Sequence, residues 1–238
     1  MKYVLRLLVY LAILFISFTL VSVLLLRFIP VSFTPLKTIA LYENKKAEKE
    51  YPFRSKWVPL HEISPEMVTA VVATEDNNFL KHNGFDFEAI RKAIEENKEG
   101  ERIRGGSTIS QQTAKNVFCL PRRTWLRKGV ETWFTAWIEI CWNKERIMEV
   151  YLNVIETHPN IYGAEATAQY FYQKAASKLN RHEAAMIATV LPSPRRMNLA
   201  SPSGYMTRRA TQVRRLMGHV GRIDFDNPPA KERKTTEK

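Results

Sequence analysis

The chain has 238 residues, 45% of them hydrophobic, and a formal net charge of +12. This length suits one substantial domain and excludes two large ones. The positive charge predicts an anionic partner, which a phosphorylated substrate, a lipid surface or a nucleic acid would each satisfy. The two cysteines, Cys119 and Cys141, lack the spacing of a metal-binding or redox motif, so we predict two buried thiols rather than a disulfide.

The N-terminus contains an uncharged run of 20 residues, from Leu7 to Leu26, between Arg6 and Arg27. At about 1.5 Å per residue, a helix of this length matches the hydrocarbon core of a bilayer. The alternative is a cleaved signal peptide, whose apolar region is usually shorter and ends in small residues. Here Pro30 follows closely, so we predict an uncleaved single-pass anchor. Positive charges on both flanks make the charge bias a weak guide to its orientation.

Composition predicts four segments along the chain. They are the cytoplasmic end with the anchor (1–29), a stalk (30–56), the main domain (57–221) and a disordered tail (222–238). The stalk is predicted because Pro30 and Pro35 interrupt helical patterns and the residues that follow are strongly charged. The tail is predicted from its proline pair and its closing charges.

Helix signals repeat through the predicted domain, beginning at Ser64, where an N-cap residue is followed by proline at the first helical position. Thr108 to Gln111 and Asn180 to Glu183 both have the spacing of a capping box. Further helical patterns cover residues 124–142, 143–153, 162–172 and 205–220. Convincing alternating strands are absent, so the predicted fold class is mainly α.

Glu75 and Asp76 lie near the end of an apolar helical pattern. Burial disfavours the charged form of a carboxylate, which raises its pKa and makes it a candidate base near neutral pH. An exposed acid pair at a helix end is the alternative interpretation.

A glycine-rich stretch from Gly105 to Asn116 is the second candidate. Its glycines allow close approach of the backbone to a ligand, and the start of a helix presents N–H groups to an anion. Gln112, Lys115 and Asn116 are spaced to share one helical face or its flank. A flexible loop before a well-capped helix is the alternative.

Charge placement favours a site over a loop. No aspartate or glutamate occurs from Arg102 to Val130, where the cations are Arg102, Arg104, Lys115, Arg122, Arg123, Arg127 and Lys128. Glu131 follows four residues after Arg127, a spacing that also occurs in exposed salt bridges of little worth. A base, a second carboxylate and several cations suit transfer of a sugar from a diphosphate, because the cations stabilise the departing group. Hydrolysis of a sugar–sugar bond would instead need an acid on the leaving oxygen.

Four motifs then carry a family resemblance. They are Glu75-Asp-x-x-Phe79-x-x-His82-x-Gly84, Gly105-Gly-Ser-Thr-Ile-Ser-Gln-Gln-x-x-Lys115-Asn116, Arg127-Lys-x-x-Glu131 and Lys144-x-x-Ile147-x-x-x-Tyr151-Leu-Asn153. In this order they resemble the peptidoglycan glycosyltransferase family, whose lysozyme-like α-helical domain occurs in bifunctional penicillin-binding proteins and in monofunctional transglycosylases. The resemblance covers about Trp57 to Val220 and is closest to the single-anchor enzymes of Gram-negative bacteria.

The resemblance implies a polymerase that joins lipid-linked disaccharides into glycan strands. Glu75 would be the catalytic base, and Glu131 a second catalytic carboxylate whose part is open: positioning cations, holding a metal or aiding departure. The substrate-binding residues would be Asp76, Phe79, His82, Ser107, Thr108, Gln111, Gln112, Lys115, Asn116, Arg127 and Lys144. No cofactor is obligatory, and a divalent cation (Mg²⁺ or Mn²⁺) stays open.

The same resemblance implies partners and a location. The partners would be lipid II, the growing lipid-linked glycan and the membrane, with other cell-wall synthases left open and nucleic acid excluded. The location would be the inner membrane of a bacterium, with the catalytic domain in the periplasm.

Two rival functions and two local questions stay open. A lysozyme-like hydrolase or lytic transglycosylase would share the fold, and a non-catalytic scaffold would share the anchor. The loop from Glu156 to Gly163 departs from the usual family sequence, which puts its shape in doubt. Phe118, Leu120 and Trp125 alternate with arginines, as a membrane-dipping surface or an interhelical core segment would.

Overall fold

The computed structural model describes residues 1–46, 52–98, 106–121 and 124–226. The helices are α1 (Lys2–Leu26), α2 (Pro35–Lys46), α3 (Pro65–Glu75), α4 (Phe87–Lys98), α5 (Ile109–Phe118), α6 (Trp125–Cys141), α7 (Lys144–Val154), α8 (Ala164–Tyr172), α9 (Arg181–Val190) and α10 (Gly204–Val220). The strands are β1 (Arg54–Ser55), β2 (Glu156–His158) and β3 (Ile161–Tyr162). The prediction of a mainly α fold is confirmed.

Local capping determines where the domain helices begin. The Ser64 side chain accepts the Glu66 amide before α3, and complete capping boxes start α5 at Thr108 and α9 at Asn180. Each cap satisfies amides that have no partner within the helix. These three starts agree with the sequence prediction.

The core is formed by two groups of helices. In one, α5 packs against α6 and α7; in the other, α3 packs against α9 and α10. Both groups contribute fully buried side chains, among them Met67, Ile109, Ile147, Tyr151 and Ile187. Cys119 and Cys141 are buried free thiols. This packing brings the C-terminal end of α3 close to the start of α5.

A small sheet accompanies the helices. Its strand order is β1-β3-β2, with β1 parallel to β3 and β2 antiparallel to it. Arg54 pairs with Ile161, and Glu156 pairs with Tyr162. Strands this short cannot show an alternating pattern, which explains why the sequence did not reveal them.

The segment predicted as a stalk packs onto the domain as far as it is described. Val31 and Thr34 are buried, and Pro35 begins α2 rather than ending a helix. The buried Lys37 Nζ donates a hydrogen bond of 2.9 Å to the carbonyl of Asn153, near the C-terminal end of α7. Burial lowers the pKa of Lys37 to about 8. The second half of the charged stretch from Glu43 to Glu50, residues 47–50, lies outside the described residues.

Helix α1 is long and apolar enough to cross a membrane, and it also contacts the domain. Trp133 Nε1 donates to Thr19 Oγ1 at 3.3 Å, and Trp142 Nε1 donates to the carbonyl of Val23 at 2.8 Å. The contact that lies later in α6 also lies later in α1, so the two helices run in the same direction. Arg146 Nη2 adds a bond of 2.7 Å to the carbonyl of Leu26, at the end of α1.

We expect Gly163→Ala to destabilise the domain by about 3 kcal/mol, because backbone strain and a steric clash act together. Gly163 has a φ of 86°, and an added Cβ would lie 2.9 Å from the carbonyl oxygen of Asn153. Urea denaturation of the detergent-solubilised chain would measure the loss. Gly129→Ala is the matched control, since a Cβ there meets nothing within 4 Å. Equal unfolding midpoints for Gly163→Ala and the wild-type chain would contradict this account.

Candidate active site

Glu75 is the last residue of α3, half-buried where α3 meets α5. Gln112 Nε2 donates a hydrogen bond of 2.8 Å to Glu75 Oε2. Burial raises the pKa of Glu75, while the Gln112 bond and the charges of Lys115 and Arg209 oppose that shift. A carboxylate with a raised pKa is suited to remove a proton near neutral pH.

Asp76 connects the end of α3 to the start of α5. Its Oδ2 accepts the Ile109 amide at 3.0 Å, and both its oxygens lie within 3.0 Å of His82 Nε2. Asp76 is buried, and the His82 side chain is almost so. This carboxylate therefore fixes the position of α5 relative to Glu75.

The start of α5 differs from the prediction of N–H groups presented to an anion. The Ile109 amide is bonded to Asp76, and the Gln111 amide to Thr108 Oγ1. Thr108 Oγ1 also donates to the carbonyl of Gly84 at 2.6 Å, and Gln111 Oε1 accepts the Thr108 amide. Thr108 and Gln111 thus hold the helix start in place, and the negative charge there belongs to Asp76. Ser107 is exposed beside this start.

Glu131 is the second carboxylate, and it is only 3% exposed. Arg127 Nη1 lies 2.7 Å from Glu131 Oε2, and Lys128 Nζ contacts the other oxygen. The pair is therefore not the exposed salt bridge that its spacing allowed. Burial lowers the pKa of Lys115, and the negative charges of Glu131 and Glu75 oppose that shift. Lys115 accordingly lies within the electrostatic reach of both carboxylates.

An open cleft of about 500 Å³ runs beside these residues. One wall carries the predicted polar set from α5 and α6, namely Gln112, Lys115, Asn116 and Arg127. The other wall contains Glu156 and Arg195, and Arg195 Nε donates a hydrogen bond of 3.2 Å to Glu156 Oε1. Asn116 Nδ2 is buried and has no hydrogen-bond partner among the described residues, so a bound ligand would satisfy it.

Four of the eleven predicted substrate-binding residues line this cleft. The seven that do not are Asp76, Phe79, His82, Ser107, Thr108, Gln111 and Lys144, and the two predicted catalytic residues, Glu75 and Glu131, also lie outside its lining. Phe79 is fully buried, and Lys144 Nζ lies 4.6 Å from the centre of its ring. Lys144 also forms a 2.8 Å ion pair with Glu139, whose carboxylate accepts the Ser110 hydroxyl. Lys144 is thereby linked to α5 through Glu139 and Ser110, and the contact of Phe79 and Lys144 with substrate stays a prediction.

The donor set around Glu131 does not fit a protein-held divalent cation, because both its oxygens already accept from cationic side chains. Within the described parts of the chain, Asp76, His82 and Asp86 place potential ligand atoms within 4.8 Å of one another. Their carboxylate oxygens already accept hydrogen bonds from the protein. We therefore derive no catalytic step through a metal.

Sequence reasoning missed three features of the site. Glu156 and Arg195 meet because α9, which Arg195 follows in the chain, contacts β2, which begins at Glu156. The charge of Arg209, on α10, lowers the pKa of Glu75, and the only sequence signal for Arg209 was its position in a basic helix. Tyr151 belongs to a quoted motif but was not predicted to touch the site, and its hydroxyl lies 3.4 Å from Gln112 Oε1.

Comparison with known proteins agrees with this geometry. Residues 43–218 match the transglycosylase family. A biosynthetic peptidoglycan transglycosylase of Bacteroides thetaiotaomicron is 47% identical over 96% of this chain and 92% of its own length. Proteins with the same name from Bdellovibrio bacteriovorus and Aeromonas hydrophila are 50% and 48% identical, over 80% and 87% of this chain and 76% and 88% of their own lengths. The prediction of a lysozyme-like helical domain is confirmed, and the chain belongs to the transglycosylase family.

Proposed function

We propose that this peptidoglycan glycosyltransferase polymerises lipid-linked disaccharide into glycan strands. The observation that carries the proposal is the arrangement on α5. Gln112 touches the candidate base Glu75, and Lys115 lies one turn further along the same helix, facing Glu131 and Arg127. A proton acceptor and a half-buried group of cations are thereby held side by side, as transfer from a sugar diphosphate requires.

The reaction assigns one role to each side of this arrangement. Glu75 takes the proton from the 4-hydroxyl of the acceptor GlcNAc, and that oxygen attacks C1 of the donor MurNAc. The bond between C1 and the diphosphate oxygen breaks, so the configuration at C1 inverts from α to β. Lys115 and Arg127 stabilise the negative charge that develops on the departing polyprenyl diphosphate.

Glu131 acts in this proposal through the cations it holds. Its buried carboxylate bonds Arg127 and Lys128 and faces Lys115. Fixed charges that need not reorganise during the reaction stabilise a transition state better than mobile ones. We propose no obligatory cofactor, and Mg²⁺ or Mn²⁺ would enter as a companion of the diphosphate.

The location follows from α1. We propose that Lys2 and Arg6 stay in the cytoplasm and that the domain lies in the periplasm, at the outer face of the inner membrane. Lipid II, the growing lipid-linked glycan and the membrane are the proposed partners, other synthases stay open, and no nucleic acid is involved.

The N-terminal end of α6 is the proposed entry for the lipid part of the substrate. Trp125 and Leu126 are 93% and 81% exposed, and they follow the cleft residue Leu120 closely in the chain. Because α6 runs alongside α1 in the same direction, this end points toward the bilayer. Phe118 fits the alternative of an interhelical core segment, since the centres of its ring and the Phe134 ring are 4.0 Å apart and the rings are stacked.

We expect Trp125→Ser combined with Leu126→Ser to raise KM for the lipid-linked substrate in vesicles about tenfold, through lost apolar burial in the membrane. KM for a short-chain soluble analogue should not change. Leu216→Ser, which alters an exposed apolar residue on α10, is the control. An unchanged KM in vesicles would refute the membrane contact.

Incubation of the purified chain with radiolabelled lipid-linked disaccharide-peptide tests the function itself. Polymer that lysozyme degrades, and that Glu75→Gln fails to make, is the expected result. Shortening of preformed glycan would instead identify a hydrolase or lytic transglycosylase, and neither activity would favour a scaffold.

A further inference from the structure

A chain of hydrogen bonds leads from the core to the candidate base. The Tyr151 hydroxyl lies 3.4 Å from Gln112 Oε1, and Gln112 Nε2 lies 2.8 Å from Glu75 Oε2. Tyr151 belongs to α7, Gln112 to α5 and Glu75 to α3, so the chain joins three helices. Tyr151 is fully buried, whereas Gln112 is only half-buried beside the cleft.

Hydrogen-bonding chemistry gives this chain a direction. An ionised carboxylate only accepts, so Gln112 must turn its NH₂ group toward Glu75. The amide oxygen then faces the core and needs a donor, which the Tyr151 hydroxyl supplies. Burial raises the pKa of Tyr151 well above its usual value, so that this donor stays protonated.

We infer that Tyr151 is a positioning residue for catalysis: its hydroxyl holds the Gln112 amide in the orientation that donates to Glu75. The inference rests on the proposed function, in which Glu75 is the catalytic base. Without the hydroxyl, the Gln112 side chain is free to turn into the cleft and leave Glu75 without its donor.

The other groups facing Glu75 define what this bond contributes. Lys115 from α5 and Arg209 from α10 favour its ionised form, and the neighbouring Asp76 opposes it. These charges remain when Tyr151 changes, so loss of the Gln112 bond acts alone and raises the pKa of Glu75 further. Glu75 must be ionised to accept a proton, so the acid limb of the rate profile moves to higher pH.

The experiment is the pH dependence of kcat/KM for the full chain carrying Tyr151→Phe, which removes only the hydroxyl. The acid limb should move up by about one pH unit, as loss of a hydrogen bond to a charged group predicts, with rates approaching wild type above it. Tyr172→Phe, a partly buried tyrosine whose pKa responds to Glu183, is the control with no shift. Carbon-13 NMR of labelled glutamates should show the same displacement for Glu75, assigned with Glu75→Gln.

A second pair of variants separates positioning from simple loss of structure. In a Gln112→Leu background, Tyr151→Phe should leave the profile unchanged, because the connecting amide is already absent. A uniform loss of rate at every pH, or an unmoved Glu75 titration, would overturn the inference. If the wild-type chain makes no polymer, the proposed function fails, while the NMR titration still decides the role of Tyr151.

Discussion

Replacement of Glu75 by glutamine is expected to abolish polymerisation while the fold stays intact. The amide keeps the size of the side chain but cannot take a proton from the acceptor hydroxyl. General bases contribute on the order of 10²–10⁴-fold to rate, so initial rates of polymer formation should fall by about 10³-fold or more. Glu66→Gln is the matched control, because Glu66 lies at the other end of α3 and pairs with Arg181 at 3.6 Å.

Thermal unfolding of Glu75→Gln would separate lost chemistry from lost structure. The folded-state pKa of Glu75 is raised, mainly by burial. Its contribution to stability is therefore full at low pH and is lost as pH rises through the folded-state pKa. At neutral pH the Glu75→Gln variant should unfold at a temperature at least as high as the wild-type chain does, as is common where function requires a buried charge. Retained turnover in this variant would refute the assignment of the base.

Replacement of Lys115 by alanine is expected to slow the chemical step. The expected loss of transition-state stabilisation is about 2–4 kcal/mol, the usual effect of removing one preorganised group. Lys115 lines the cleft and faces both Glu75 and Glu131. Single-turnover rates at saturating substrate measure this loss without a contribution from binding. Lys178→Ala removes an exposed lysine and is the control.

The same experiment with Arg127→Ala tests whether the cations act together. Arg127 shares Glu131 with Lys128 and lines the same wall as Lys115. If Lys115 and Arg127 stabilise the same developing charge, the double variant should lose less transition-state stabilisation than the sum of the losses in the two single variants. Near wild-type rates in both single variants would refute the role in diphosphate departure.

Local sequence predicted most of the helical framework, because helix starts are determined by neighbouring residues. Ser64, Thr108 and Asn180 cap the helices that their spacing indicated. The packed arrangement of residues 31–40 was missed because it depends on partners far along the chain. Lys37 gains its buried place by bonding a carbonyl 116 residues away, a contact that charge and proline content cannot reveal.

The candidate site divides in the same way. Glu75 was predicted because it ends an apolar helical pattern, and Lys115 and Arg127 because they lie in a window without acidic residues; both signals are local in the sequence. Glu156 and Arg195 meet across 39 residues because α9 packs against β2, a long-range contact that local sequence does not reveal. Asp76 belongs to a motif that the sequence showed, but its bond to the Ile109 amide, which occupies one of the N–H groups predicted to face an anion, was not predicted.

The contacts between α1 and the domain limit how the protein can move at a membrane. Only a few residues separate the end of α1 from the buried Val31, and Trp142 and Arg146 bond the last turns of the helix. If α1 crosses a bilayer, these bonds would hold the domain in one position relative to the membrane-spanning helix, whereas a loose tether would let it sample many heights and tilts. The opening of the cleft would then stay near the membrane surface, and substrates anchored in the same bilayer would need to search only two dimensions to find it.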